Sequence, residues 1–156
     1  MSEEKKSTAP VPVVTRRADQ ARLGLFIGVI GFLVFILGAK PEWLGLDRSP
    51  VIGFVQITVF TFGLGFLCLG GYIGLSSLWK SDEERSILAD IGARLIGTGY
   101  VIAVFAGMAD IFGMGTQPLP AVPFFGPWQA IGVQVGQVMI AAGLTLMIPF
   151  HRYKKQ

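Results

Sequence analysis

Between Asp110 and His151 the chain runs through forty residues without one Asp, Glu, Lys or Arg, and three further charge-free stretches precede this one. A water-soluble domain of 156 residues would have to leave much of that surface wet. A bilayer with a hydrocarbon core of about 30 Å accepts it as helices of roughly 20 apolar residues. The pattern selects lipid as the solvent and predicts an all-α membrane protein.

Charged residues make up 15% of the chain against a usual quarter. Its 21 glycines suit transmembrane helices, which associate by close backbone approach. The sequence pI near 9.2 would fit nucleic-acid binding only if the bases gathered on one soluble face. They do not. Lys5, Lys6, Arg16, Arg17 and Arg22 precede the first apolar run, Lys80, Arg85 and Arg94 lie between the second and third, and Arg152, Lys154 and Lys155 follow the last. Eleven of the 13 bases therefore sit in alternate segments, with only Lys40 and Arg48 between the first two runs. The positive-inside rule then puts both termini in the cytoplasm of a cell whose inner membrane holds the chain. Cys68 is the single cysteine, so neither an internal disulfide nor a thiolate metal site can form. The polar residues before the first run and the poor cleavage site at 37–39 make that run a retained anchor rather than a signal peptide.

Four spans are expected in an up-down bundle, at about 23–39, 51–76, 93–114 and 128–150. Residues 1–20, acidic, basic and proline-containing, read as a flexible cytoplasmic tail, and 151–156 as a basic one. Pro41 stops the first helix, and Trp43 and Trp79 stand where indoles anchor at interfaces. Ser81-Asp82-Glu83-Glu84 has the form of a capping box. Residues 81–92 carry Ile87, Leu88 and Ile91 against Glu84, Arg85 and Asp90, which predicts an amphipathic segment lying on the inner membrane surface until Gly92 lets it turn into the third span. Residues 115–127, uncharged and with four prolines, form an outer loop.

A faint two-hairpin pseudo-repeat is visible. Ala21-Arg22-Leu23 is echoed by Ala93-Arg94-Leu95, and Pro50, Val55-Gln56 and Gly65 by Pro127, Val133-Gln134 and Gly143.

Few residues carry chemistry. Asp110 is an acid within a predicted span, where a charge at mid-bilayer costs about 2.5 kcal/mol or more. Counting from Arg94 places it about 24 Å along the helix, near the outer headgroups. There the helix dipole opposes it, and Lys40 and Arg48 are the cations available to compensate it. Gln56, Thr58 and Thr61 in span two and Gln129, Gln134 and Gln137 in span four are the other polar groups at membrane depth. Gln134 and Gln137 share a helix face, so both are expected to turn inward toward Gln56 in a packing role, with a polar pore or substrate lining, which would need several more polar groups, as the alternative. Gly24 with Gly28, Gly70 with Gly74, and Gly132 with Gly136 form small-xxx-small pairs that predict close helix packing, against this chain, another copy or another subunit. His151 is alone among tail bases. Gly97 and Gly99 lie in an apolar helix with no strand before them, which removes a dinucleotide reading. No paired carboxylates, His/Cys cluster or second haem ligand appears, so no catalysis, cofactor or metal is expected.

The partners expected are the lipid bilayer and other membrane-protein subunits or a second copy of the chain, with no nucleic acid. By subtraction the chain reads as a non-enzymatic accessory or scaffolding subunit, or a helix-packing oligomer. The alternative is a small transporter or ion- or proton-conducting protein built on Asp110 and the intramembrane glutamines.

Overall fold

In hydrocarbon a backbone amide has no water to bond, so an apolar stretch closes its hydrogen bonds on itself as a helix. The structure, a computed structural model, describes residues 13–45, 53–79, 86–114 and 125–149. Its elements are α1 (Val13–Ala39), a short 3-10 turn (Pro41–Leu44), α2 (Phe54–Ser77), α3 (Ile87–Gly107) and α4 (Pro127–Leu146). There is no strand among the described residues. Stretches of 24, 24, 21 and 20 residues in the four helices are long and apolar enough to cross a membrane. The shortest reaches about 30 Å.

The helix ends depart from the boundaries expected from charge alone. Helix α1 starts at Val13 rather than near residue 21, because once a helix exists each added residue closes a further bond at small cost. Arg16, Arg17, Ala18, Gln20 and Ala21 are mostly good helix formers. Helix α3 begins at Ile87 and runs unbroken through Gly92, so residues 87–92 form its first turns instead of a separate surface segment. Its N-cap is Ser86, whose hydroxyl accepts from the Leu88 amide at 3.3 Å. The Ser81–Glu84 box lies outside the described residues, as do the tails at 1–12 and 150–156 and most of the outer loop.

At its far end α3 stops at Gly107, short of Met114. Residues 108–112 make one further turn, closed by Gly113 at φ 72. The Gly113 amide bonds to the Asp110 carbonyl at 3.2 Å and the Met114 amide to the Ala109 carbonyl at 2.9 Å, the paired bonds of a Schellman cap that needs a left-handed residue. Helix α4 ends at Leu146 rather than near Phe150, because Pro149 disfavours helical geometry at the residue before it.

The helices pack as two antiparallel pairs. In the first, Gly24 of α1 lies on Gly74 and Gly70 of α2, Gly28 on Gly70, Gly31 on Phe66 and Leu67, and Gly38 on Phe60. In the second, Gly92 of α3 lies on Gly143 of α4, Gly99 on Gly136, and Ala106 on Gly132. In three of these contacts each glycine faces the other's carbonyl oxygen. A Cβ at Gly92 would stand 2.6 Å from the Gly143 carbonyl oxygen, and one at Gly143 would stand 2.6 Å from the Gly92 oxygen. For Gly99 and Gly136 the values are 2.6 and 2.5 Å, and for Gly24 and Gly70 they are 2.9 and 2.7 Å. The hydrogen that glycine carries there is directed at the facing carbonyl, a Cα–H···O contact worth about 0.5–1 kcal/mol.

Between the pairs the contact is made by side chains. Leu64 and Cys68 of α2, Ile96 and Ala103 of α3, and Ile140 and Met147 of α4 and its C-cap form the buried core, with Tyr72, Tyr100 and Leu144 packed against it. Tyr100 lies over Gly65, where a Cβ would meet its hydroxyl at 2.8 Å. Trp79, just past the end of α2, is 7% exposed, and its indole N–H donates to the Met147 carbonyl at 3.1 Å. That bond ties the end of α2 to the end of α4. Trp43 and Trp128 are 74% and 77% exposed. The echoed glycines differ in their contacts: Gly65 meets Tyr100 of α3, whereas Gly143 meets Gly92 and Ile96.

Gly136→Val drives a side chain into the Gly99 carbonyl and Ala103 and is expected to lower stability by about 1–3 kcal/mol. Unfolding in mixed micelles titrated with dodecyl sulfate reads the loss. Gly97→Ala, with nothing within 4 Å, is expected to be neutral or to gain up to about 1 kcal/mol in the same titration. Trp79→Phe loses the donor and part of the buried ring system, and should cost about 1–3 kcal/mol, whereas Trp43→Phe should leave the midpoint unmoved.

Candidate functional site

Where the reciprocal glycines stop, the two hairpins part. Between them lies a half-open cavity of about 240 Å³, lined by Gly38 and Ala39 at the end of α1, Gln56, Ile57 and Phe60 at the start of α2, Gly107 at the end of α3, and Phe125, Ala130, Val133, Gln134 and Gln137 on and before α4. It occupies the end of the bundle away from Trp79 and Met147. All three glutamines singled out from the sequence line it, Gln56 and Gln137 half-buried and Gln134 exposed. They come from different hairpins and meet because Gln134 and Gln137 sit three residues apart on one face of α4.

The carboxamides do not bond to one another. Among the described residues none of the three has a hydrogen-bond partner, although each can give two N–H bonds and accept at its oxygen. Other polar residues of these spans bond to backbone, some of them only in part. The Thr58 hydroxyl donates to the Phe54 carbonyl at 2.9 Å, one turn back on its own helix. The Gln129 Oε1 accepts from the Gly126 amide at 2.7 Å, the N3-to-N-cap bond of a capping box, and its Nε2 is buried without a partner. Thr61 is buried, with the Tyr100 hydroxyl 3.5 Å from its carbonyl oxygen.

Asp110 stands apart from this cavity. It lies in the turn beyond α3, half-buried, with its main-chain carbonyl taken by the Gly113 amide. Among the described residues it has no ion-pair partner. Lys40 is not paired with it, and Arg48 lies outside the described residues, as does His151. Among the described residues Arg94 pairs with Asp90 at 3.2 Å and Arg22 with Asp19 at 4.0 Å, both exposed and of small energetic weight.

The glycines singled out from the sequence all face helices of this chain: Gly24 and Gly28 meet Gly70 and Gly74, while Gly132 and Gly136 meet Ala106, Ala103 and Gly99. Sequence reasoning missed Trp79 as the tie between hairpins, and Phe60 and Phe125 as cavity walls. The only signal for Trp79 was an indole donor that needs a partner when buried. Comparison with protein-family models, with curated proteins and with solved structures gives no match.

Gln129→Leu removes the acceptor for the Gly126 amide and is expected to cost about 1 kcal/mol. Faster amide hydrogen exchange confined to the first turn of α4 would register it. Uniform exchange changes along α4 would mean that the cap is not what holds this end.

Proposed function

We propose that the chain is a multi-pass protein of the cell's inner membrane that works by non-covalent association, as an accessory or scaffolding subunit of a membrane complex. In this reading the four spans run up and down and both termini face the cytoplasm. The helix pairing supports that orientation. Gly24 with Gly74, Gly92 with Gly143, and Trp79 with Met147 gather the start of α1, the end of α2, the start of α3 and the end of α4 at one end of the bundle. Arg16, Arg17, Arg22 and Arg94 lie at that end and Lys40 at the other, the asymmetry that positive-inside sorting produces.

One observation favours association over conduction. The seam between the hairpins is polar at one end only. From Leu64 and Ala103 to Met147 and Trp79 it is filled by apolar side chains, so a single chain offers a blind cavity instead of a path. The transport reading needs Asp110 beside the glutamines, and Asp110 does not line their cavity. Because the glycine pairs are used within the chain, the surfaces left for partners are the outward apolar faces of the four helices, with Leu25 and Phe26 on α1, Phe62 on α2, Val101 on α3 and Val138 on α4 exposed.

Purified in mild detergent, the full chain is expected to migrate with a stoichiometric membrane partner. In liposomes, proton and ion flux should stay at background for wild type, Asp110→Asn and Gln134→Leu alike. Cysteine placed at Ser86 should label from the cytosol, and cysteine at Gly45 from the outside. A proton flux abolished by Asp110→Asn would overturn the assignment in favour of transport.

A further inference from the structure

Two of the three cavity glutamines, Gln134 and Gln137, are in an expensive position, and Gln56 stands at the boundary above them. A carboxamide facing hydrocarbon without a partner costs several kcal/mol, and no described residue supplies one. Their distances from the outer ends of their helices follow from the rise per residue: about 3 Å for Gln56, 10 Å for Gln134 and 15 Å for Gln137. The polar groups thus form a ladder from the headgroup boundary toward mid-bilayer. The rest of the lining is apolar and includes two phenylalanines, and no charged side chain takes part.

We propose that this cavity holds an uncharged, carbonyl-bearing group of a membrane-dissolved lipid, its oxygens accepting from the amides of Gln56, Gln134 and Gln137 and its hydrocarbon lying on Ile57, Phe60 and Val133. Each element of that assignment has a physical cause. The absence of charge in the lining selects an uncharged group, a quinone ring or a glycerolipid's esters with its phosphate left outside, because a buried ion without a counter-charge is not tolerated in this medium. Carboxamide N–H groups select an acceptor. A volume of 240 Å³ lies below the roughly 300–1,000 Å³ of sites that enclose a whole drug-sized ligand, so it takes that group and leaves the tail outside. The half-open mouth lets that tail remain in the bilayer. Two lipids present this chemistry: a glycerolipid through its ester carbonyls, reaching Gln56 first, and an isoprenoid quinone through its ring carbonyls, reaching Gln134 and Gln137. The inference rests on the bilayer placement and is independent of the subunit reading.

The test uses the full chain in nanodiscs of phosphatidylcholine, with and without a quinone-headed lipid, followed by release into mild detergent and native mass spectrometry of what stays bound. Wild type is expected to retain one lipid per chain, a quinone where the quinone is the source and phosphatidylcholine in both preparations where the ester is. Gln134→Leu with Gln137→Leu, and separately Gln56→Leu on the other hairpin, should each lower retention about tenfold or more, the loss of one or two hydrogen bonds in a site of this kind. Each leucine removes a polar group from hydrocarbon, so the unfolding midpoint should hold or rise. Retention equal in wild type and in both variants would overturn the proposal, as would a wild-type chain that carries no lipid. Neither result would bear on whether a protein partner co-purifies.

Discussion

In hydrocarbon, two apolar side chains gain little by meeting, because lipid tails already surround them with equivalent contacts. Helices stay together where their backbones come close enough to gain dispersion and weak Cα–H···O contacts, and only glycine permits the closest approach. The reciprocal contacts of Gly24 with Gly70, Gly92 with Gly143, and Gly99 with Gly136 are therefore what the rest of the structure depends on. They set which helices pair, in which direction and at what separation. Gly63 against Phe35 and Gly38 against Phe60 extend the first pair to its far end, where the Phe35 and Phe60 rings meet at 4.9 Å.

The same physics explains what could be read from residues alone. The existence and order of four apolar helices follow from charge-free runs, because a bilayer rejects charge over a known thickness. Spacing also marked the positions of closest approach: Gly24/Gly28, Gly70/Gly74 and Gly132/Gly136 stand at helix contacts. The neighbour could not be read, since a glycine stripe fits any small-residue partner and the choice is made by the fold. Ends were the weak point. Charge marks where lipid ends, whereas Gly113 and Pro149 mark where helical geometry ends, and the two differ by several residues at α3 and α4. At α1 the helix outlasts the apolar run, because Arg16 to Arg22 are compatible with helix even though they are not compatible with lipid.

Trp79 shows a second kind of loss. Three tryptophans stand close to the ends of predicted spans, and an indole there has two good environments. It can lie in the headgroup layer with its N–H wet, or be buried with its N–H on a carbonyl. Local sequence does not separate them. Trp43 and Trp128 are exposed, as the first requires, and Trp79 takes the second because Met147, at the end of a helix far away in sequence, leaves its carbonyl within 3.1 Å. Helix C-terminal carbonyls lack intrahelical donors, so the bond satisfies two groups that would otherwise be exposed to a medium unable to bond them.

Joining and parting of the hairpins are two results of one distribution of residue sizes. Within each pair the interface is glycine on backbone along most of its length. Between pairs α2 faces α3 and α4 through Leu64, Cys68, Ile96 and Ile140, side chains that hold the helices farther apart and fill the space they create. Toward the start of α2 and α4 the filling changes to Gln56, Gln134 and Gln137, with Gly107 opposite. Glutamine is long enough to span such a gap, yet it does not pack as leucine does, because its polar end must point at an acceptor or donor and here meets none among the described residues. Three carboxamides that fail to close on one another keep the gap open. A leucine-like filling would have closed it at less energetic cost in lipid. The cavity is thus a consequence of residues that are poor choices for packing, the pattern expected where a sequence departs from its structural optimum for the sake of a site.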